Sequence, residues 1–402
     1  MQSGKRYEFA MVAIMFFTWG SVFLDRMAQL YLAPYFAPAL GLSVEQIGVL
    51  ASGLALMWAL SSYLLGTISD RVGRKPILIP MVFVFSALSW LSGFANNFWQ
   101  MLFIRGGVGL AEGPCWSVLN AVVERSSAPE RRGRNIGMVA SAGALIGLGL
   151  APVLTTQVAA HFGWRIAFFI AGIPGLIMGW LIWRFIREPM EAEDSVQAKR
   201  AADWRQLFRY RNIWLCALAN IGLLTWITLQ GVFAPLYITS ILRKSGTEVG
   251  VLLGASGAGS FIFGLLMMFL SDKVGRKPIW LVAAFLSIFL TLAIWWRPLY
   301  SFPWILSGVV AVTNGSLVLS SLVMVLIPTE SVPGMHAAGA IGFATLVGEI
   351  GGSVLAPAIA GALARAYGLQ IPLFIAAGGM ALTLLLGLFI TETRAGKAKG
   401  LA

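Results

Sequence analysis

The sequence predicts an all-α membrane protein with twelve transmembrane helices in two pseudo-symmetric six-helix bundles. Three observations lead to this fold class: strong hydrophobicity, an alternation of basic loops, and a repeat between the two halves. Of the 402 residues, 58% are hydrophobic and only 11% are charged, whereas a soluble domain carries about 25% charged residues. Since a bilayer span takes about 20 residues, the chain is long enough for twelve spans with short loops.

Twelve apolar stretches follow one another along the chain. The first six occupy 9–36, 44–69, 76–96, 98–123, 135–160 and 164–186. The second six occupy 213–241, 247–270, 278–297, 302–327, 335–363 and 370–391. The segment between the two sets begins REPMEAEDSVQAKR and lacks apolar periodicity over its first half. We therefore expect an N-terminal bundle over 1–186, a cytoplasmic linker over 187–212 and a C-terminal bundle over 213–402.

The basic residues predict the orientation of the chain in the membrane. Most of the 29 Lys and Arg residues lie in the linker, at the termini and in the loops after spans 2, 4, 6, 8 and 10. The opposite loops contain only Arg165, Arg243, Lys244, Arg297 and Arg365. Because cytoplasmic loops are enriched in Lys and Arg, both termini are expected in the cytoplasm of a cell with this protein in its inner (plasma) membrane. The net charge of +12 is therefore a topology signal and does not indicate nucleic-acid binding.

The halves repeat in sequence. SDRVGRKPI at 69–77 matches SDKVGRKPI at 271–279, and IGMVASAGALIGLGLAP at 136–152 aligns with IGFATLVGEIGGSVLAP at 341–357. Repeats of this kind let one bundle rock against the other around a central site.

The loop GTISDRVGRKP at 66–76 resembles the motif between helices 2 and 3 of the major facilitator superfamily, and its partial copy lies between helices 8 and 9, where that superfamily repeats it. The resemblance implies a conformational gate, since a bond that forms in one conformation and breaks in the other biases a two-state equilibrium. The same charges also fit a pure topology signal. The gating residues predicted in this way are Gly66, Asp70, Arg71, Gly73, Arg74, Lys75, Asp272, Gly275 and Arg276.

Four ionisable residues lie inside predicted spans of the first half. Asp25 and Arg26 interrupt the first apolar stretch, and Arg105 and Glu112 lie seven residues apart, hence on one face, in the fourth. Charges within a membrane are costly and usually serve a function. An ion pair at a helix end that reaches the headgroups is the alternative for Asp25 and Arg26.

An Asp-Arg pair in helix 1 with Arg and Glu seven apart in helix 4 resembles the anion:cation symporter family of organic-anion/proton symporters. The resemblance covers FLDRMAQLYLAPYF and FIRGGVGLAEGP. It implies that Arg26 binds the carboxylate of a small-molecule substrate and that Asp25 and Glu112 bind protons. Arg105 would then pair with an acid and tune its protonation.

Electrostatic competition at these residues would couple substrate binding to proton binding. An arginine in a low-dielectric cavity needs an anionic partner, and in the empty site Asp25 or Glu112 can supply it. An arriving carboxylate competes for the guanidinium fork. The displaced acid loses its partner and takes a proton, so that substrate and proton bind together.

Three further residues are candidates for the site. Members of that family often have tyrosine at the position of Trp58 and glutamine at that of Ser62, so this chain favours a less polar carboxylate, although Trp58 could equally face lipid. Glu349 in span 11 fits either a second proton site or a helix–helix hydrogen bond. Asn314 in span 10 fits either substrate contact or helix packing.

The leading prediction is thus proton-coupled symport of a small organic carboxylate by a monomeric transporter. An organophosphate:phosphate antiporter and a proton-driven drug or metabolite exporter are the alternatives; span 7 lacks the second arginine that such antiporters carry. No metal-spaced His/Cys cluster and no Gly-rich phosphate loop after a strand occurs in the sequence. We therefore expect no enzyme activity, no cofactor and no metal.

Overall fold

The computed structural model describes residues 2–188, 208–333 and 337–393. The first half contains six helical spans: α1 (Gln2–Ala39), α2 (Val44–Val72), α3 (Lys75–Ser92), α4 (Phe98–Ser126), α5 (Arg132–Phe162) and α6 (Trp164–Phe185). The second half contains α7 (Arg211–Ser240), α8 (Gly246–Val274), α9 (Arg276–Trp295), α10 (Pro303–Glu330), α11 (Ala337–Gly348, Glu349–Leu355 and Ala356–Tyr367) and α12 (Gln370–Leu388). The predicted all-helical class is confirmed.

Eleven of these described helices are long and apolar enough to cross a membrane. The one outside that set is α4, although its 29 residues exceed the length of a span. Its glycines and its ionisable residues Arg105 and Glu112 lower its apolar character. The hydropathy criterion therefore misses a helix whose apolar character is reduced by glycines and by two ionisable residues.

Local sequence signals account for the helix ends. Ser43 and Gln46 form a reciprocal capping box at the start of α2, and the Asn97 side chain accepts a hydrogen bond from the Gln100 backbone N–H at the start of α4. Gly163 and Gly368 stop α5 and α11 with positive φ angles of 86° and 101°, a conformation that other residues adopt at a cost.

Two of the repeated segments contain π-helical turns. Gly143–Leu150 within α5 and Glu349–Leu355 within α11 are π-helical, and both lie in the aligned stretches 136–152 and 341–357. The first packs against α1 and the second against α7. The sequence repeat thus extends to a local irregularity of the backbone, of a kind that is frequent at functional sites.

Span 10 differs from the continuous helix predicted over 302–327. The helix stops at Thr313 and resumes at Ser316. Gly315 approaches α9 so closely that an added Cβ would lie 2.9 Å from the Ser287 Oγ, and its backbone N–H donates to that oxygen. The Asn-Gly pair at 314–315 is a poor helix former, which explains the break.

The described helices cluster into two compact units. One comprises Met1–Met190 and Arg243–Gly257, and the other comprises Glu191–Leu242 and Ala258–Ala402. The boundaries predicted at 186 and 213 stay sequence-based expectations, and most of the predicted linker, 187–212, lies outside the described residues. The functional residues of each unit are described separately below.

Candidate functional site

A buried ion pair joins α1 to α4 in the first unit. Arg105 Nη1 lies 3.3 Å from Asp25 Oδ1, and both side chains have no solvent exposure. Arg105 Nη2 donates to the Asp25 backbone oxygen at 3.0 Å, and Arg105 Nε donates to Gln29 Oε1 at 2.8 Å. The Ser89 hydroxyl of α3 donates to the Asp25 carboxylate. A buried pair with its hydrogen-bonding groups so well satisfied costs about 3–5 kcal/mol to break by removing one partner.

Helix periodicity separates the two charges of the Asp25–Arg26 pair. Asp25 and Gln29 are four residues apart, so both face Arg105. Arg26 is one residue further on, about 100° round the helix, and it points elsewhere. The sequence therefore places adjacent charges in two different environments.

Arg26 lies over Trp58 of α2. Its guanidinium carbon is 4.7 Å from the centroid of the Trp58 ring, within the range of a cation–π interaction. Arg26 is half-buried and Trp58 is 9% exposed, so Trp58 lies inside the protein. Among the described residues Arg26 has no ion pair, in contrast to the expectation that Asp25 or Glu112 partners it in the empty site. Arg26 has no such partner because its side chain projects from α1 about 100° away from that of Asp25.

Glu112 is the second buried acid of the first unit. It has no solvent exposure, and neither carboxylate oxygen has a hydrogen-bond partner among the described residues. Asp25, Arg105 and Arg26 are near enough to act on it electrostatically. Glu112 thus lacks the hydrogen-bond donors that surround the Asp25 carboxylate. An ionised carboxylate can only accept hydrogen bonds, whereas a protonated one can also donate.

Two glycines of α4 bring α2 close to this cluster. A Cβ on Gly109 would lie 2.2 Å from the Leu54 backbone oxygen, and one on Gly113 would lie 2.4 Å from that of Trp58. Small residues permit such close packing of membrane helices. The crossing fixes the α2 backbone at Trp58 beside the segment of α4 that contains Glu112.

The interior of the second unit presents mainly neutral polar groups. The Thr291 hydroxyl accepts hydrogen bonds from the Trp226 indole and from the Gln230 amide. Glu349 begins the π-helical turn of α11, is 7% exposed, and has one carboxylate oxygen, Oε2, without a partner among the described residues. Asn314 lies at the break in α10.

The motif loop of the first half is closed by an acid that the sequence analysis did not single out. Gly73 has a φ of 103° at the end of α2. The Glu188 carboxylate then accepts hydrogen bonds from the backbone N–H groups of Arg74 and Lys75, the latter at 2.8 Å. Arg74 Nη1 donates to the Ser69 hydroxyl. Carboxylates are favourable at helix N-termini, so Glu188 stabilises the start of α3.

The other predicted members of this loop have simpler surroundings. Arg71 is exposed. Gly66 lies against α4, where an added Cβ would be 3.3 Å from the Ser117 Oγ. The side chain of Asp70 is outside the described residues, so its predicted gating role stays a prediction.

The second motif loop repeats this arrangement and adds ion pairs. Gly275 has a φ of 124°, and Glu392 accepts hydrogen bonds from the backbone N–H groups of Arg276 and Lys277 at 2.8 and 3.1 Å. Arg276 also pairs with Asp272 at 2.6 Å and with Glu330 at 2.9 Å. The positions of Glu188 and Glu392, each just after the sixth span of its half, could have been found by extending the repeat.

A third cluster ties the loop after α4 to α1. Arg131 and Asn135 both donate to the Glu8 carboxylate, with Arg131 Nε at 3.0 Å and Asn135 Nδ2 at 2.8 Å. The hydrogen bond with Glu8 raises the pKa of Arg131 above its usual value. Glu8 was missed because it lies more than a hundred residues from its partners.

Curated relatives of this chain are named as transporters. It is 27% identical over 296 residues to a probable L-galactonate transporter of Escherichia coli, 30% identical over 270 residues to a probable 4-methylmuconolactone transporter of Cupriavidus pinatubonensis, and 26% identical over 295 residues to the multidrug resistance protein MdtG of Salmonella. These matches cover 68%, 65% and 68% of this chain. They span 64%, 62% and 70% of the respective relatives, under two thirds for the first two.

Solved structures share the fold. A bacterial homologue of the human lysosomal transporter Spinster superposes with a TM-score of 0.75 at 18% identity, over 95% of this chain and 94% of that one. The nucleoside transporter NupG superposes with a TM-score of 0.76 at 13% identity, over 96% and 100% of the two chains. The model of the Major Facilitator Superfamily matches residues 14–352 and 226–401. The chain therefore belongs to the major facilitator superfamily, as a multi-pass membrane protein.

Proposed function

We propose that this transporter carries a small organic carboxylate together with protons. The observation that carries the proposal is Arg26: a half-buried intramembrane guanidinium that lies on Trp58 and has no acid partner among the described residues. A cation at membrane depth is costly without a counter-charge. A substrate carboxylate would supply that charge, and it suits the bidentate guanidinium fork.

The two acids of the first unit would then have different roles. Asp25 is bound to Arg105 and Ser89, so it serves as the fixed counter-charge of the buried Arg105. Glu112 has no hydrogen-bond donor among the described residues, and a buried carboxylate without donors is costly. We therefore assign the coupled proton to Glu112, within electrostatic reach of Arg26.

Coupling follows from these charges. In the empty site Glu112 and Arg26 act on each other electrostatically. A bound carboxylate neutralises Arg26 and adds negative charge beside Glu112, which favours protonation of Glu112. Substrate thus promotes proton binding and, by linkage, the proton promotes substrate binding. Glu349 supports a second proton site in the other unit, since its Oε2 also has no partner among the described residues.

The relatives support the carboxylate class. The L-galactonate and hexuronate transporters, the latter 32% identical over 180 residues, are named for sugar acids. The 4-methylmuconolactone relative is named for a less polar compound, in line with the loss of a family amide at Ser62. The similarity to MdtG and to an efflux pump of Mycolicibacterium smegmatis favours export as the alternative direction.

Transport into proteoliposomes tests the proposal. Purified protein, reconstituted with a pH gradient acid outside, is expected to accumulate labelled L-galactonate, glucuronate or 4-methylmuconolactone. Collapse of the gradient with a protonophore should abolish the accumulation. Uptake that is indifferent to the gradient contradicts proton coupling, and binding of glucose 6-phosphate without any carboxylate contradicts the substrate class.

Inner-membrane localisation with cytoplasmic termini, and function as a monomer, belong to the same proposal. The excess of Lys and Arg in alternate loops supports the orientation. Cysteine labelling from either side of the membrane, at sites introduced near position 131 and position 297, tests it.

A further inference from the structure

We propose that Trp58 is the second hydrogen-bond donor of the anion site, so that one substrate carboxylate binds Arg26 through one oxygen and the Trp58 indole N–H through the other. This inference rests on the proposed carboxylate specificity and assigns to Trp58 a role in affinity and selectivity. The observation behind it is a buried indole N–H that has no hydrogen-bond partner among the described residues.

Two other buried tryptophans of this chain, Trp226 and Trp280, satisfy their N–H groups within the protein. Trp226 donates to the Thr291 hydroxyl at 3.2 Å, and Trp280 donates to the Thr383 backbone oxygen at 3.0 Å. Trp58 is nine-tenths buried, yet its Nε1 has no acceptor among the described residues. An indole N–H can only donate, and a buried donor without an acceptor costs free energy. A ligand oxygen would remove that cost.

The geometry of the two donors favours a group with two acceptor atoms. The Arg26 guanidinium lies over the face of the Trp58 ring, with 4.7 Å from its carbon to the ring centroid. The indole N–H lies in the plane of the ring and therefore points away from the guanidinium. The two donors thus point to different acceptor atoms. One oxygen of a carboxylate can accept from the Arg26 guanidinium and the other from the Trp58 N–H. Among the residues that the structure describes, Glu112 does not accept the Trp58 N–H, because neither of its carboxylate oxygens has a hydrogen-bond partner there.

The backbone around Trp58 is held in position independently of any ligand. Its carbonyl oxygen accepts a hydrogen bond from Ser61 and packs against Gly113 of α4. The cation–π contact orients the Arg26 side chain over the ring. The donor pair is therefore arranged before a substrate arrives, which lowers the entropic cost of binding.

Trp58→Phe separates the two functions of this side chain. It retains an aromatic face for Arg26 and removes the N–H. In the empty protein this change leaves a cavity similar to that of Trp280→Phe, but it deletes a donor that has no acceptor among the described residues, so the melting temperature should fall less than in Trp280→Phe. In the complex it deletes a hydrogen bond to a charged group, so the Kd should rise at least about tenfold. A small loss of stability together with a large loss of affinity is not expected of a purely structural residue.

The experiment measures both quantities in detergent-purified protein, with L-galactonate, glucuronate and 4-methylmuconolactone as probes. Trp280→Phe is the matched control, since it removes a buried N–H that does have an acceptor. That variant should melt at a lower temperature and bind the probe with unchanged Kd. Trp58→Leu, which also removes the ring face, should weaken binding further than Trp58→Phe.

Three results overturn parts of the proposal separately. If Trp58→Phe binds the probe as tightly as the parent, the indole N–H has no role in the site. If Trp58→Phe lowers the melting temperature as Trp280→Phe does, its N–H is bonded within the empty protein. If no carboxylate stabilises the parent protein, the carboxylate specificity itself is wrong, and this inference is wrong with it.

Discussion

The interiors of the two units are built on one repeated scaffold but differ in charge. α1 and α4 of the first unit contribute Asp25, Arg26, Arg105 and Glu112. In the second unit α7 and α9 contribute the neutral Trp226, Gln230 and Thr291, and α11 contributes the carboxyl of Glu349. Repetition thus preserved helices, motif loops and π-helical turns, whereas the chemistry of the interior diverged. Duplication of a fold does not imply duplication of its site.

Removal of Arg26 should have the largest effect on transport. Arg26→Ala is expected to lower carboxylate uptake at least about a hundredfold, because the substrate loses its buried counter-charge. Arg26→Lys should restore only part of it, since an ammonium lacks the bidentate fork. Uptake of labelled glucuronate into proteoliposomes measures both.

Arg165→Ala is the control for this change. Arg165 bonds the Gly93 and Ala95 backbone oxygens at a loop of the first unit, so its loss should affect stability and leave the substrate KM unchanged. Unimpaired uptake by Arg26→Ala would show that Arg26 does not bind the substrate carboxylate.

Asp25→Asn should have the largest effect on stability. It leaves Arg105 buried without its ion-pair partner, at an expected cost of about 3 kcal/mol in the free energy of unfolding. Thermal unfolding in detergent measures the loss. The double variant Asp25→Asn with Arg105→Gln should recover part of it, and strictly additive losses would contradict a coupled pair.

Glu112→Gln should uncouple transport with little change in stability. The amide resembles the protonated acid in shape and cannot ionise, so exchange of labelled for unlabelled substrate should persist. Accumulation driven by an imposed pH gradient should be lost. Glu349→Gln is the matching change in the second unit. Loss of coupling in that variant, and not in Glu112→Gln, would assign the coupled proton to Glu349.

Glu188→Gln and Glu392→Gln should give small and similar effects. Each replaces a carboxylate that accepts two backbone N–H bonds at the start of a helix, which is worth about 1–2 kcal/mol. Melting temperatures compared side by side test the equivalence. A much larger loss for Glu392→Gln would show that the adjoining Arg276 pairs with Asp272 and Glu330 depend on it.

The hydropathy of the chain and its internal repeat were sufficient to predict the fold class. Membrane helices must satisfy their own backbone groups, so apolar length located the spans other than α4, which falls below the hydropathy criterion, and the copied motif related the halves. The break at Asn314 was not predictable from apolar length, because the weak helix propensity of the Asn-Gly pair acts together with the approach of Gly315 to Ser287 on another helix. Contacts between distant helices are where single-sequence reasoning lacks information.

The candidate site was predicted in its residue types and only in part in its pairing. The spacing of Arg105 and Glu112 placed both inside the bundle. It did not determine that Asp25, and not Glu112, pairs with Arg105, nor that Arg26 lies on Trp58. Helix periodicity places adjacent residues about 100° apart, but the partner of each depends on how three helices pack.

The close crossing of α2 and α4 has a consequence for how such a transporter can diversify. The oxygen that approaches Gly113 belongs to Trp58 itself, so any methyl group added at Gly113 pushes the Trp58 backbone outwards and shifts the Arg26 contact with it. If Arg26 and Trp58 bind the substrate as proposed, a change at Gly113 alters substrate preference through the position of the Trp58 backbone. Mutants selected for growth on a bulkier acid should include changes at Gly113, in addition to changes at the residues proposed to contact the substrate.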